Sequence, residues 1–234
     1  MEQVIHIFNK EFKDYFMSPI AYIVISVFLL VTGWLFFTTF FLYNQADLRS
    51  FFDLLPLTFS FVIPAVTMRL FSEEINVGSY EILLTLPVTS RDIIVGKFLA
   101  GVIFVAAILA PTLAYPIFIC FLGQLDWGPV IGGYAGAILL GAAFCAIGLF
   151  ASALTRNQII AFIIGVVICF CLTLIDKMLF FFPQSLLGIF GYLGADFHFQ
   201  NISKGIIDSR DVLYFLSIIF LGLYSTHIAM EEKK

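Results

Sequence analysis

Long stretches without charge constrain this chain more than any other feature. Between consecutive Asp, Glu, Lys or Arg residues lie runs at 15–46 (32 residues), 54–68 (15), 98–125 (28), 127–155 (29), 157–175 (19) and 212–230 (19). A charge at the centre of a bilayer costs at least about 2.5 kcal/mol, and a helix crosses the hydrocarbon in about 20 residues. Five runs have that length, and the 54–68 run reaches it once Phe51, Phe52, Leu70 and Phe71 are included, with Asp53 and Arg69 reaching toward the headgroups. The sequence therefore predicts an all-α integral membrane protein with six spans in one domain, 19–230, at approximately 20–43, 51–70, 98–122, 129–154, 158–176 and 211–230.

A seventh charge-free run, 178–195, is interrupted by Pro183, Gly188, Gly191 and Gly194. It reads as a re-entrant helical hairpin, part of an outer segment at 178–207, because non-helical backbone at membrane depth needs shelter from protein. With six spans, eight Lys and Arg fall on the N-terminal side (Lys10, Lys13, Arg69, Arg91, Lys97, Arg156, Lys233, Lys234) and four on the other (Arg49, Lys177, Lys204, Arg210). That asymmetry places both termini, including the 231–234 tail, in the cytoplasm. Glu2, Lys10, Glu11, Lys13 and Asp14 precede the first span and no cleavage motif follows it, so it reads as retained.

Composition agrees. The chain is 61% hydrophobic and 12% charged with mean hydropathy +1.04, whereas a water-facing surface needs roughly a quarter to a third of its residues charged. A net charge of −4 without a basic run argues against nucleic acid. Cys120, Cys145, Cys169 and Cys171 sit in apolar runs and read as buried hydrophobes, so no metal site is expected. There is no GxxxxGK[ST], HExxH or GxSxG, and no Asp, Glu, Lys or Arg lies in the interior of a predicted span. The chain itself should bind no nucleotide or other cofactor, have no catalytic residue, and not run on an ion gradient.

Two polar pieces carry the functional reading. Residues 1–18 form an amphipathic helix with Phe8, Phe12 and Phe16 on its apolar face, suited to the headgroup layer. The longest cytoplasmic segment, 72–97, has a turn at Gly78-Ser79, a short helix from Tyr80 to Leu86, a stop at Pro87 and a capping box at Thr89 to Asp92. Its Ile82, Leu83, Leu84 and Leu86 must be covered, either by the membrane and the N-terminal helix or by a soluble partner. Arg156 is a second candidate contact. Gly132, Gly136 and Gly141 make a small-residue face for close helix packing, in this chain or against a second subunit. His198 lacks nearby metal-ligating partners in sequence, as do His6 and His227.

Bare spans with an apolar cytoplasmic knob suit a transport subunit energised by a separate protein. At this point the stretches KEFKDYFMSPIAYIVI (10–25), IPAVTMRLFSEEINVGSYEILLTLPVTSRDIIVGK (63–97) and IGLFASALTRNQIIAF (147–162) resemble ABC-2 type ABC transporter permeases, nearest to the gliding-motility-associated group. The resemblance implies an interface helix, six spans, a cytoplasmic coupling helix and an outer re-entrant hairpin before the last span. It also implies a partner ATPase that holds ATP and Mg, and a second permease half, identical or related, in the inner membrane. An extracytoplasmic accessory protein is compatible with it. Coupling would fall to Glu73, Glu74, Gly78, Glu81, Ile82, Leu83, Leu84, Pro87 and Arg91, and the expected activity is export. The competing reading is a non-transporting membrane scaffold that uses the same cytoplasmic surface.

Overall fold

The computed structural model describes residues 2–43, 47–81, 88–178, 191–206 and 208–233. Among these residues the chain is helical, without strands. Helix α1 (Glu2–Met17) ends one residue before α2 (Pro19–Tyr43), where proline sits at a first helical position that needs no N–H. Then come α3 (Arg49–Thr67), α4 (Arg69–Val77), α5 (Ser90–Leu109), a 3-10 turn (Ala110–Leu113), α6 (Ala114–Leu122) and α7 (Trp127–Leu154). Helices α8 (Gln158–Leu174), α9 (Ala195–Ser203) and α10 (Ser209–Glu231) complete it.

Five of these units are long and apolar enough to cross a bilayer: Pro19–Leu42, Arg49–Val77, Ser90–Leu122, Trp127–Leu154 and Ser209–Glu231. Helix α8 is apolar but only 17 residues long, about 26 Å at 1.5 Å per residue, because turns take over at Ile175. It therefore falls short of the sixth span expected for 158–176. The segment expected as a cytoplasmic loop, 72–97, is helical at both ends: α4 continues to Val77, and α5 begins at Ser90, directly after the expected capping box and ahead of the predicted span start at 98. Residues 82–87, and most of the expected outer hairpin at 179–190, lie outside the described residues.

Helix α7 is the spine. Its glycines and alanines let neighbours approach closely, which matters because lipid supplies no hydrophobic drive between helices and van der Waals packing must do so. Gly133 receives the ring of Phe52 from α3, Gly141 receives Val105 from α5, and Gly148 receives Thr67 at the end of α3. Gly132 lies under the Ile202 carbonyl and Gly136 under Ile202 and Phe199 of α9. The contact partner of Gly132, Gly136 and Gly141 is thus this chain's own α5 and α9. A subunit interface through them is corrected, since any side chain there would strike these neighbours.

Irregular backbone is repaired from the same helix. At the α3–α4 break around Met68, the Ser152 hydroxyl accepts from Phe71 N (2.9 Å) and Ser72 N (3.0 Å) and donates to the Met68 carbonyl (2.7 Å). Pro116 cannot donate to the carbonyl four residues before it, Thr112, and that carbonyl accepts from Tyr134 Oη at 2.9 Å. Both repairs satisfy groups that would otherwise be orphaned in a dry interior.

Candidate functional site

Helix α1 docks against the start of α5 through Val4, Ile7, Glu11 and Tyr15, whose spacing puts them on one face. Gly96 permits this, because a Cβ there would collide with Ile7 and the Val4 carbonyl. Phe8, Phe12 and Phe16 form a half-buried aromatic row beside that face, with Phe8–Phe12 and Phe12–Phe16 centroids 5.8 and 4.9 Å apart. The most deeply set α1 residues are Tyr15, stacked on Phe104 of α5 at 4.9 Å, and the acid Glu11.

Glu11 can be buried because Lys97 is. Lys97, 1% exposed in the second turn of α5, donates to Glu11 Oε1 (2.8 Å) and the Leu70 carbonyl (2.7 Å) and lies 2.9 Å from Glu74 Oε1 of α4. An ammonium has three donors, and here all three have an acceptor. Its Nζ also lies 5.2 Å from the centroid of the Phe71 ring. Lys10 joins from the surface, 3.4 Å from Glu74 and 3.8 Å from Glu11. Partial burial pulls the Lys10 pKa down, but attraction to Glu11 and Glu74 outweighs it and leaves the pKa above its ordinary value. Arg69 sits 5.2 Å over the Tyr15 ring and donates to Ser18 Oγ, tying the α1–α2 junction to the α3–α4 break.

These groups border a cleft of about 340 Å³ between α1 and α4, whose rim carries Asp14, Glu73 and Ser79. Helix α4 closes at Gly78, which adopts the left-handed conformation (φ 78°) favoured for glycine at a helix end. The chain restarts at Ser79, whose hydroxyl donates to the Glu74 carbonyl. On the far side of 82–87, Thr89 and Asp92 form the expected capping box for α5.

Of the nine coupling residues expected from sequence, Glu73, Glu81 and Arg91 are exposed at this end, and Gly78 forms the turn. Glu74 turns inward to Lys97. Ile82, Leu83, Leu84 and Pro87 lie outside the described residues. Sequence reasoning placed Lys97 among the residues of the family resemblance but missed Glu11 and the pairing of the two. The available signal was an acid on the apolar stripe of α1, between Phe8 and Tyr15, and a lysine flanked by Gly96 and Phe98.

Among the described residues no group of His, Cys, Asp and Glu is arranged to hold a metal ion. The arrangement is mechanical: an ion-paired clamp fixes α1, α4 and α5 to one another beside the 82–87 segment. A search of the curated proteins found no match. The family model described as ABC-2 family transporter protein matches residues 5–219, a region that includes most of α1, the clamp, four of the five long apolar units in full and the first half of α10. A match over so much of the chain shows that this multi-pass membrane protein belongs to the ABC-2 transporter family.

Proposed function

We propose that this chain is the permease subunit of an ATP-driven exporter in the cytoplasmic (inner) membrane, with α8 as a sixth span and both termini in the cytoplasm. Family membership implies a transport subunit that is not itself catalytic and that works with an ABC ATPase. ATP and Mg belong to that partner. The subunit works beside a second permease copy or a related permease, and an extracytoplasmic accessory protein fits the same scheme. The sequence stretches at 10–25, 63–97 and 147–162 resemble the gliding-motility-associated permeases, and that resemblance is what supports assigning it to this group.

The observation that carries this reading is the clamp. The chain leaves α4 at the Gly78 turn and enters α5 at the Thr89 cap, and both helices are joined to α1 by Lys97, Glu11 and Glu74. An ATPase that engages Ile82, Leu83 and Leu84, with the exposed Glu73, Glu81 and Arg91 orienting it at the rim, displaces three helices together. Affinity purification from the native membrane in mild detergent, with mass spectrometry and an ATP-hydrolysis assay of the eluate, tests it. A P-loop ATPase should accompany the chain and be lost on Leu83→Ser/Leu84→Ser. Unchanged co-purification of the double variant refutes the coupling assignment, and an eluate without any nucleotide-binding partner favours the scaffold.

A further inference from the structure

The end of the bundle opposite the clamp holds a buried histidine whose two ring nitrogens both face acceptors. His198 on α9 is 2% exposed, with Nδ1 2.5 Å from Asp211 Oδ1 and Nε2 3.0 Å from the Tyr192 carbonyl. Its ring stacks on Tyr214 at 4.0 Å, and the Tyr214 hydroxyl donates to the Leu193 carbonyl at 2.6 Å. These contacts close the seam between the 191–203 segment and the first turns of α10.

A carbonyl can only accept, and so can an ionised carboxylate. Neutral His198 beside ionised Asp211 has one proton for two contacts, and one ring nitrogen then turns a lone pair toward an oxygen lone pair. Two protons satisfy both contacts, either as imidazolium with carboxylate or as neutral imidazole with carboxylic acid. We propose that the His198–Asp211 pair is a proton-binding site, and that its bound proton latches the 191–203 segment onto α10.

Titratable and charged groups around the ring come from several elements. From α10 the ring meets Asp211 and Tyr214, and from the preceding turn Tyr192. Asp176, just after α8, acts on Tyr214, and Asp196 on α9 itself is paired with Lys177 at 3.0 Å. Asp53 of α3 faces Asp196 and Lys177, with Arg49 and Lys204 in its field. Helix α7, which packs on α9 through Gly132 and Gly136, contributes no charged residue. Residues 179–190 contain no titratable side chain.

The inference rests on this geometry and stands apart from the proposed transport function. The test is hydrogen–deuterium exchange of the full chain in lipid nanodiscs, read on peptides covering α9 and the first turns of α10 and corrected for intrinsic exchange. Exchange in the unsubstituted protein should be about 10- to 100-fold faster near pH 9.5 than near pH 5.5, the range set by losing one hydrogen bond to a charged group. His198→Gln should exchange fast at both. Asp211→Asn gives the opposite result, because its amide donates to Nδ1 while the neutral ring donates from Nε2 to Tyr192, so the seam stays closed at both. Equal protection of the unsubstituted protein at the two pH values, or fast exchange of Asp211→Asn at both, overturns the proposal and leaves a structural ion pair.

Discussion

Replacing Lys97 by Met removes the ammonium and keeps most of the side-chain volume, so the change isolates the clamp's electrostatics. Glu11 and Glu74 then remain with side chains only 10% and 13% exposed, and their nearest remaining cation is Lys10, 3.8 and 3.4 Å away respectively but half in solvent. Removing one partner of a buried ion pair costs about 3–5 kcal/mol, because the other charge stays desolvated. Lys10 offsets part of this, so the expected loss is about 3 kcal/mol. It should fall on the attachment of α1 as well as on global stability. Trypsin cleavage at Lys10 and Lys13, compared with unfolding in mixed micelles by titrated sodium dodecyl sulfate, separates the two effects. A second substitution, Glu11→Leu, should recover about 2 kcal/mol in the Lys97→Met background, since it removes the stranded carboxylate and leaves Glu74 to Lys10. A Lys97→Met loss below about 1 kcal/mol with α1 still protected would put the clamp in the class of exposed ion pairs and refute the reasoning.

Ser152→Ala removes the acceptor for the Phe71 and Ser72 N–H groups at the α3–α4 break and leaves the Met68 carbonyl to the Ser72 hydroxyl, and should cost about 1–3 kcal/mol in the same unfolding titration. Gly148→Ala drives a methyl into Thr67 and should cost about 1–3 kcal/mol, with partial recovery in Gly148→Ala/Thr67→Ala because the hydroxyl it strikes is gone. Thr89→Ala opens the capping box and should cost about 1 kcal/mol, read as faster amide exchange in the first turn of α5. Hydrogen bonds from Thr89 hold the Asp92 carboxyl below its ordinary value of 3.8. The cap's contribution is therefore complete above about pH 4 and is lost as pH falls through the lower folded value, so exchange in that turn should rise only in acid.

What the sequence could show was set by range. Charge-free runs locate helices because the bilayer penalises each charge wherever the rest of the chain goes, and α2, α7 and α10 begin and end within about two residues of the expected bounds. The same criterion ended the third span at 98, because it treats a lysine as a terminus. Lys97 escapes the rule only through Glu11 and Glu74, 86 and 23 residues away, and no local pattern encodes that pairing. The small-residue face of α7 was legible as a packing surface, but spacing is silent on the neighbour, which proved to be α5 and α9. His198 looked solitary for the same reason. Its partner Asp211 lies 13 residues on, inside a different helix.

These long-range contacts converge on one element. At the clamp end Ser152 holds the α3–α4 break, and Lys233 in the tail after α10 donates to the Ala153 carbonyl. Midway, Gly141 and Ala146 seat α5 and Gly222 of α10. At the opposite end Gly132 and Gly136 carry α9, which holds the His198 seam. Helix α7 runs unbroken from Trp127 to Leu154 and has no proline after Pro129. A displacement of α1, α4 and α5 at the clamp therefore works against one continuous helix whose far end bears directly on the seam. Of the five long apolar units, α2 and α10 are the least enclosed by their own chain. Loosening the clamp by Lys97→Met should accordingly leave amide protection in α9 unchanged, since α9 is seated on α7 and the clamp binds only α1, α4 and α5. Loss of protection in α9 in that variant would mean that the two ends are coupled through the bundle rather than each fixed to α7.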